Sequence, residues 1–298
     1  MDDPQKLATN VIVDRYVVDH GGRRRTSTVV FPRNPVDSPA LVLVLHGFLQ
    51  TGDSMREFST RAFDALAARG HAVVAYPDAV GREWNGARKA VMLSATAKTI
   101  DDVGFLRRLV EDLADQHVID RQRVFAVGYS LGGQMTIRLL HDAPDVLAGA
   151  VLIGCNLPAP ENRSVSDQPG RAVPLLSIHG TADPLAPYEG GRVSFRGLFP
   201  KGVHLSALDT AQYFAARNGI DTPPAVQWLD PDRPSRTTVR RTDYTHADRP
   251  PVSLYTIIDG GHQIPGASQG PRFLYGKPSD NPVTVETMST FFGLFQDR

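Results

Sequence analysis

The chain has 298 residues, of which 41% are hydrophobic and 21% charged, and Lys+Arg 32 balance Asp+Glu 32 for a formal net charge of +0. That composition builds a globular core and excludes recognition of nucleic acid or an anionic membrane by bulk charge. The opening Met1-Asp2-Asp3-Pro4-Gln5-Lys6 resembles no secretory leader, the longest apolar stretch (Val146 to Leu157) is too short to span a bilayer, and the lone Cys155 admits no intramolecular disulfide.

In chain order, Val11 to Val18 and Thr26 to Phe31, joined at Gly21-Gly22, read as two strands with a turn between them. Leu41-Val42-Leu43-Val44-Leu45 is apolar at every position, as a strand covered on both faces of a parallel sheet must be. The spacing predicts a helix over Met55 to Arg69 and a strand over His71 to Tyr76. From Thr99 to His117, Val103, Leu106, Val110 and Leu113 share one helical face, with Arg107, Arg108, Glu111 and Asp112 off it. A strand at Arg123 to Val127 and a helix at Leu131 to His141 follow, then strands at Leu147 to Ile153 and Val173 to Ile178 and a helix at Leu205 to Arg217. Two β-like stretches, Ala225 to Leu229 and Thr237 to Tyr244, flank Pro231-Asp232-Arg233-Pro234; a strand at Val252 to Ile258 and a helix at Val283 to Phe295 close the chain. Strands alternating with amphipathic helices predict an α/β domain over 1–298, with a mostly parallel central sheet flanked by helices. Within it, 1–32 form the N-terminal strands, 158–171 a surface loop and 221–247 a β-like insertion.

Chemistry concentrates at Gly128-Tyr129-Ser130-Leu131-Gly132, between a buried strand and a helix. This is the G-x-S-x-G pattern of a nucleophile elbow, in which small residues two positions either side of the serine let strand and helix approach. A serine hydroxyl needs a base, and the base a third group to fix its tautomer, in the chain order Ser, acid, His. Asp183, in Ile178-His179-Gly180-Thr181-Ala182-Asp183-Pro184, and His262, in Asp259-Gly260-Gly261-His262, both lie just past strand C-termini, the edge where open α/β sheets bind ligands. Asp259 is a rival acid, better suited to a structural role so close to His262. His179 and His46, each ending a strand before Gly, read as loop-orienting residues, and Cys155 as a small core residue. Oxyanion donors are expected from the amide of Leu131 and from the loop after the Leu41 to Leu45 strand, where Phe48 is the first choice and Leu49 the next.

These segments together resemble the polyhydroxybutyrate depolymerase and feruloyl esterase (LpqC-like) family of α/β-hydrolases. The resemblance rests on Leu45-His46-Gly47, Asp101-Asp102-Val103-Gly104-Phe105-Leu106, Asp120-Arg121-Gln122-Arg123-Val124, the elbow, His179 to Pro184 with Pro187-Tyr188, and Gly260-Gly261-His262. It implies the α/β-hydrolase fold, Ser130 as nucleophile, Asp183 as acid, His262 as base, a small-molecule ester as substrate, and neither metal nor cofactor. Gln263-Ile264-Pro265-Gly266 stands where the family often has Thr-Trp-Pro-Gly, and Leu131 where it often has a small or polar residue. The changes at Ile264 and Leu131 are expected to line the acyl pocket, together with Leu49 and Tyr129; Trp84, after the strand ending at Tyr76, is expected either to wall the pocket or to pack in the core.

The resulting expectation is a serine carboxylic-ester hydrolase acting through an acyl-enzyme on small aliphatic or feruloyl-type esters. A polyhydroxyalkanoate-oligomer depolymerase, a thioesterase or acyltransferase, and a non-catalytic binding protein remain alternatives. A cytoplasmic location is expected from the missing leader, or a secreted one if a leader has been removed; Asn162-Arg163-Ser164 would then be a glycosylation acceptor. Oligomeric state has no sequence signal.

Overall fold

The uniformly apolar run β3 (Ala40–Leu45) sits in the middle of a ten-stranded sheet and is buried along its whole length. In the computed structural model, which describes residues 9–90, 95–166, 170–195, 198–229, 237–267, 270–281 and 283–295, it pairs in parallel with β4 (Ala72–Pro77) and β5 (Val124–Tyr129). Parallel pairing continues through β6 (Gly149–Ile153) and β7 (Leu175–Gly180) to β12 (Arg249–Ile257). An antiparallel hairpin closes each side, β1 (Val11–His20) with β2 (Arg23–Pro32), and β10 (Ala225–Leu229) with β11 (Val239–His246). The order across the sheet is β1-β2-β4-β3-β5-β6-β7-β12-β11-β10.

Alternation along the strands divides the interior into two cores. Leu41, Leu43 and Leu45 pack on one face and Val42 and Val44 on the other, because successive side chains of a strand point to opposite sides. The helices α1 (Gly52–Phe58) and α2 (Asp64–Ala68) cover the valine face with the C-terminal part of the chain, through Met55, Leu66 and Met288. The leucine face is covered by α3 (Asp102–Gln116), α4 (Leu131–Asp142) and α5 (Ala207–Arg217), through Phe105, Met135 and Phe214. Among the described residues the chain also forms the short α6 (Arg272–Tyr275) and the C-terminal α7 (Thr284–Phe292).

Three sequence expectations change. The helix expected over Met55 to Arg69 is broken between α1 and α2, where Thr60 and Arg61 take positive φ (51° and 58°) and the Thr60 hydroxyl donates to Ala267 O (2.8 Å). Tertiary contact overrides the helical period there. The stretch 221–247 extends the main sheet past β12, although Pro231 to Pro234 lie outside the described residues. A hairpin, β8 (Gly191–Phe195) with β9 (Leu198–His204), forms its own small sheet that no apolar periodicity announced. In the 158–171 loop, whose residues 167–169 lie outside the described ones, Asn162 is buried and its amide donates to Val203 O (3.1 Å), so this sequon does not present an accessible side chain.

Asp102, from the Asp101 to Leu106 run, is the buried anchor of α3. Its Oδ1 accepts from Arg25 Nη2 at 2.7 Å and its Oδ2 from the Asn85 amide at 2.8 Å, while the Arg25 guanidinium lies 3.9 Å above the Phe105 ring. Burial raises the Asp102 carboxyl above its ordinary range despite the opposing pull of Arg25. Removing one partner of a buried ion pair strands the other charge, so Asp102→Ala should destabilise the protein by roughly 3–5 kcal/mol, read as a lower denaturant midpoint. A loss below about 1 kcal/mol, typical of surface pairs, would contradict this placement.

Candidate active site

The strand β5 ends at Tyr129 and α4 begins at Leu131, leaving Ser130 as the single residue of the turn. It adopts φ 53°, ψ −114°, a conformation that costs an L-residue about 1–3 kcal/mol and persists only when its surroundings impose it. Here they do: the Ser130 amide donates to Ile153 O (2.9 Å) at the end of β6, and the Gly133 amide donates to Ser130 O (3.0 Å). The flanking glycines are required by space. A Cβ at Gly132 would lie 2.0 Å from Leu45 O, and one at Gly128 would lie 2.3 Å from Thr136 Oγ1 and 2.5 Å from Gly132 O.

Beyond Ile153, the chain turns at Gly154 (φ 56°), where a Cβ would stand 2.9 Å from His262 Nδ1 and 3.4 Å from Asp183 Oδ2. Gly154 thus touches the elbow through its chain neighbour and the His262–Asp183 pair directly. His262 Nδ1 and Asp183 Oδ2 are 2.6 Å apart with both side chains buried. The other carboxylate oxygen, Oδ1, accepts from the Leu185 and Ala186 amides (2.8 and 2.7 Å). Burial alone would push the Asp183 carboxyl up, but His262 and His179 outweigh it and hold it well below the usual carboxylate range. Asp183 is therefore a fixed anion that sets His262 Nδ1 as the donor of their hydrogen bond. The Ser130 hydroxyl makes no hydrogen bond to a described residue, an open arrangement common in sites without a ligand.

The supporting histidines behave as expected. His179 Nε2 lies 2.7 Å from Ala186 O and 3.4 Å from Asp183 Oδ2, gripping the Asp183 turn. His46 Nδ1 donates to Gly47 O (2.7 Å) and Nε2 accepts from the Ala79 amide (3.1 Å), so a neutral imidazole ties down the loop after β3. In that loop the Leu49 amide donates to Arg82 O (3.1 Å), whereas the Phe48 and Leu131 amides have no acceptor among the described residues. Of the three amides, those of Phe48 and Leu131, not that of Leu49, are left without a described acceptor. The rival acid Asp259 is exposed, with its amide bonded to Thr181 Oγ1 (2.8 Å).

A cavity of about 30 Å³ opens beside Ser130, lined by Phe48, Leu131 and Leu185 together with Arg88, Gln134 and Asn156. Of the expected pocket residues, Leu131 lines it, but Leu49, Trp84, Tyr129 and Ile264 do not. Leu49 is 53% exposed, Trp84 is buried with its indole N–H on His46 O (3.1 Å), and Ile264 is sealed in the valine-face core. The Tyr129 side chain points away from the cavity, as alternation after Gly128 requires, and its hydroxyl donates to His262 O (2.8 Å). The aromatic support missing at Ile264 comes from elsewhere: Tyr129 packs 5.1 Å from the His262 ring, and Tyr275 lies nearly parallel to it at 6.5 Å. Arg88, Gln134, Asn156 and Tyr275 carried no motif. Cys155 is buried on the cavity wall and accepts from Gln134 Nε2 at 3.0 Å. Among the described residues there is no cluster of metal-ligating side chains, and no helix is long and apolar enough to cross a membrane.

The model of the alpha/beta hydrolase family matches residues 41–275. A protein of Nocardia uniformis subsp. tsuyamanensis that carries the esterase name NocK is 29% identical over 243 residues, 80% of this chain and 68% of that one. A poly(3-hydroxybutyrate) depolymerase of Ralstonia pickettii is 35% identical over 135 residues, but this is 43% of the chain and 27% of the depolymerase. Among solved structures, an acetyl xylan esterase from Aspergillus awamori superposes with a TM-score of 0.63 at 15% identity, covering 95% of this chain and 99% of that one. That likeness is one of fold.

Burial holds His46 and His141 down at about 4, against 6.5 for a free histidine. The unfolded chain therefore binds protons that the folded chain refuses, so this stability is complete above pH 6.5 and is lost as the pH falls toward 4. Denaturant unfolding should show a loss on the order of 2–3 kcal/mol per histidine across that window. His141→Gln, away from Ser130, should remove one of the two contributions; an unaltered pH slope in this variant would refute it.

Proposed function

The chain belongs to the alpha/beta hydrolase family, and we propose that within it the protein is a serine carboxylic-ester hydrolase working through an acyl-enzyme. The observation that carries this reading is Ser130 held at φ 53° on the strand-to-helix turn, with the buried Asp183–His262 pair packed against the adjoining Gly154. In this reading Ser130 Oγ attacks the ester carbonyl and His262 Nε2 takes its proton, while Asp183 stabilises the imidazolium. The Phe48 and Leu131 amides donate to the oxyanion, whose charge they meet without reorganising. His262 then returns the proton to the leaving alcohol and activates the water that releases the acid.

A small ester suits the site best. The cavity beside Ser130, at about 30 Å³, holds a group of roughly two or three heavy atoms. That favours a short acyl group over a feruloyl group. The match to the depolymerase spans 27% of that protein, too little to carry polymer degradation across. A reducing compartment, in keeping with a cytoplasmic location, suits the single buried Cys155.

Wild-type protein should hydrolyse p-nitrophenyl acetate and be labelled covalently by a fluorophosphonate. Ser130→Ala should lose labelling and at least about 10⁴-fold in kcat, and Asp183→Asn a comparable factor through the wrong imidazole tautomer. Labelling that persists in folded Ser130→Ala would place the nucleophile elsewhere.

A further inference from the structure

Among the described residues lining the Ser130 cavity, Arg88 is the one full charge, and no function so far employs it. Its side chain is only 4% exposed, yet its Nη2 has no hydrogen-bond partner and its guanidinium no ion pair among the described residues. Glu83 acts on it through space without an ion pair. No Asp or Glu is among the described residues lining the cavity. A buried, unpaired cation is expensive, and folds normally supply a carboxylate partner.

The position is also fixed in advance. On either side of Arg88 the backbone is clamped, with Ala87 N donating to Gln134 O (2.9 Å) and Lys89 N to Asn162 O (2.6 Å). Arg88 itself forms a β-bridge with Arg163, and its carbonyl accepts from Lys98 Nζ. The backbone that carries Arg88 is thus fixed beside a cavity that the elbow also lines. Burial lowers the guanidinium only to about 10, so it keeps its charge at neutral pH.

We infer that Arg88 is a specificity residue of this site and that the ester it serves carries a carboxylate, seated in the cavity against the guanidinium a few atoms from the scissile carbonyl. The substrate-class part of this inference rests on the esterase reading above; anion binding at Arg88 does not. The cavity has room for a carboxylate, a group of three heavy atoms, and a guanidinium meets it with paired donors. Two amide oxygens on the same wall, Gln134 Oε1 and Asn156 Oδ1, also lack partners among the described residues, and match a hydroxyl or amine on the same ligand.

The test compares kcat/KM for mono-p-nitrophenyl succinate and the neutral p-nitrophenyl butyrate, in wild type, Arg88→Met and Arg88→Lys. The succinate/butyrate ratio should fall by roughly 100-fold in Arg88→Met, the scale of a lost charge-assisted pair, and by less in Arg88→Lys, which keeps the charge but loses the fork. Arg88→Met removes a buried charge without leaving a large void, so it should fold with an unchanged or raised Tm. A second measurement needs no turnover: sodium succinate, against sodium chloride at matched ionic strength, should raise the Tm of wild type and Ser130→Ala but not of Arg88→Met. A ratio unchanged in folded Arg88→Met, or equal succinate protection in all three proteins, overturns the inference. If wild type cleaves neither ester while succinate protection still depends on Arg88, the esterase reading fails and the anion site stands.

Discussion

The molecule depends on how closely β5 and α4 approach across Ser130. A serine at positive φ is tolerable only because Gly128 and Gly132 bring no Cβ into a space already filled by Leu45 O, Gly132 O and Thr136 Oγ1. That contact sets the first turn of α4 against the end of β3, where Leu45 O faces Gly132. The strain at Ser130 is held by hydrogen bonds to β6 and α4, so the parallel pairing of β3, β5 and β6 is what keeps the site in shape.

Two buried ionic arrangements in the same fold show how surroundings decide what a carboxylate does. Asp102 is enclosed with Arg25 and one backbone amide, and burial dominates, leaving a carboxyl raised above its usual range that anchors α3. Asp183 is equally enclosed but receives two amides and faces two imidazoles, and its charged form wins. The difference lies in donor count rather than depth. Arg88 is the converse case, a buried cation whose Nη2 meets no acceptor among the described residues.

Much of this was legible in the sequence. Apolar alternation located the parallel strands, since a strand buried on both faces has no alternative pattern, and the elbow, Asp183 and His262 were marked by turns at strand ends. The illegible parts were set by tertiary contact. The break at Thr60 and Arg61 responds to Ala267, more than two hundred positions away, and no local period encodes it. The cavity wall was misread because Trp84 was chosen for its place after a strand end and Ile264 for standing where the resembled family often has an aromatic, whereas both side chains turn into the interior. Arg88, Gln134 and Asn156 reach the cavity from a loop, from the second turn of α4 and from the end of β6. The stacking partner of His262 is Tyr275, on a short helix with no periodicity of its own.

The hydrogen bond between His262 and Asp183 spans 79 positions of chain and joins the ends of neighbouring strands β7 and β12. The elbow needs β3, β5 and β6 around it, all of which precede Asp183 and His262 in the chain. During synthesis the residues of the elbow therefore emerge first, and the His262–Asp183 hydrogen bond waits for β12 to dock beside β7. Chain order thus separates the two halves of the site: a nascent copy can hold the strained turn without the buried pair.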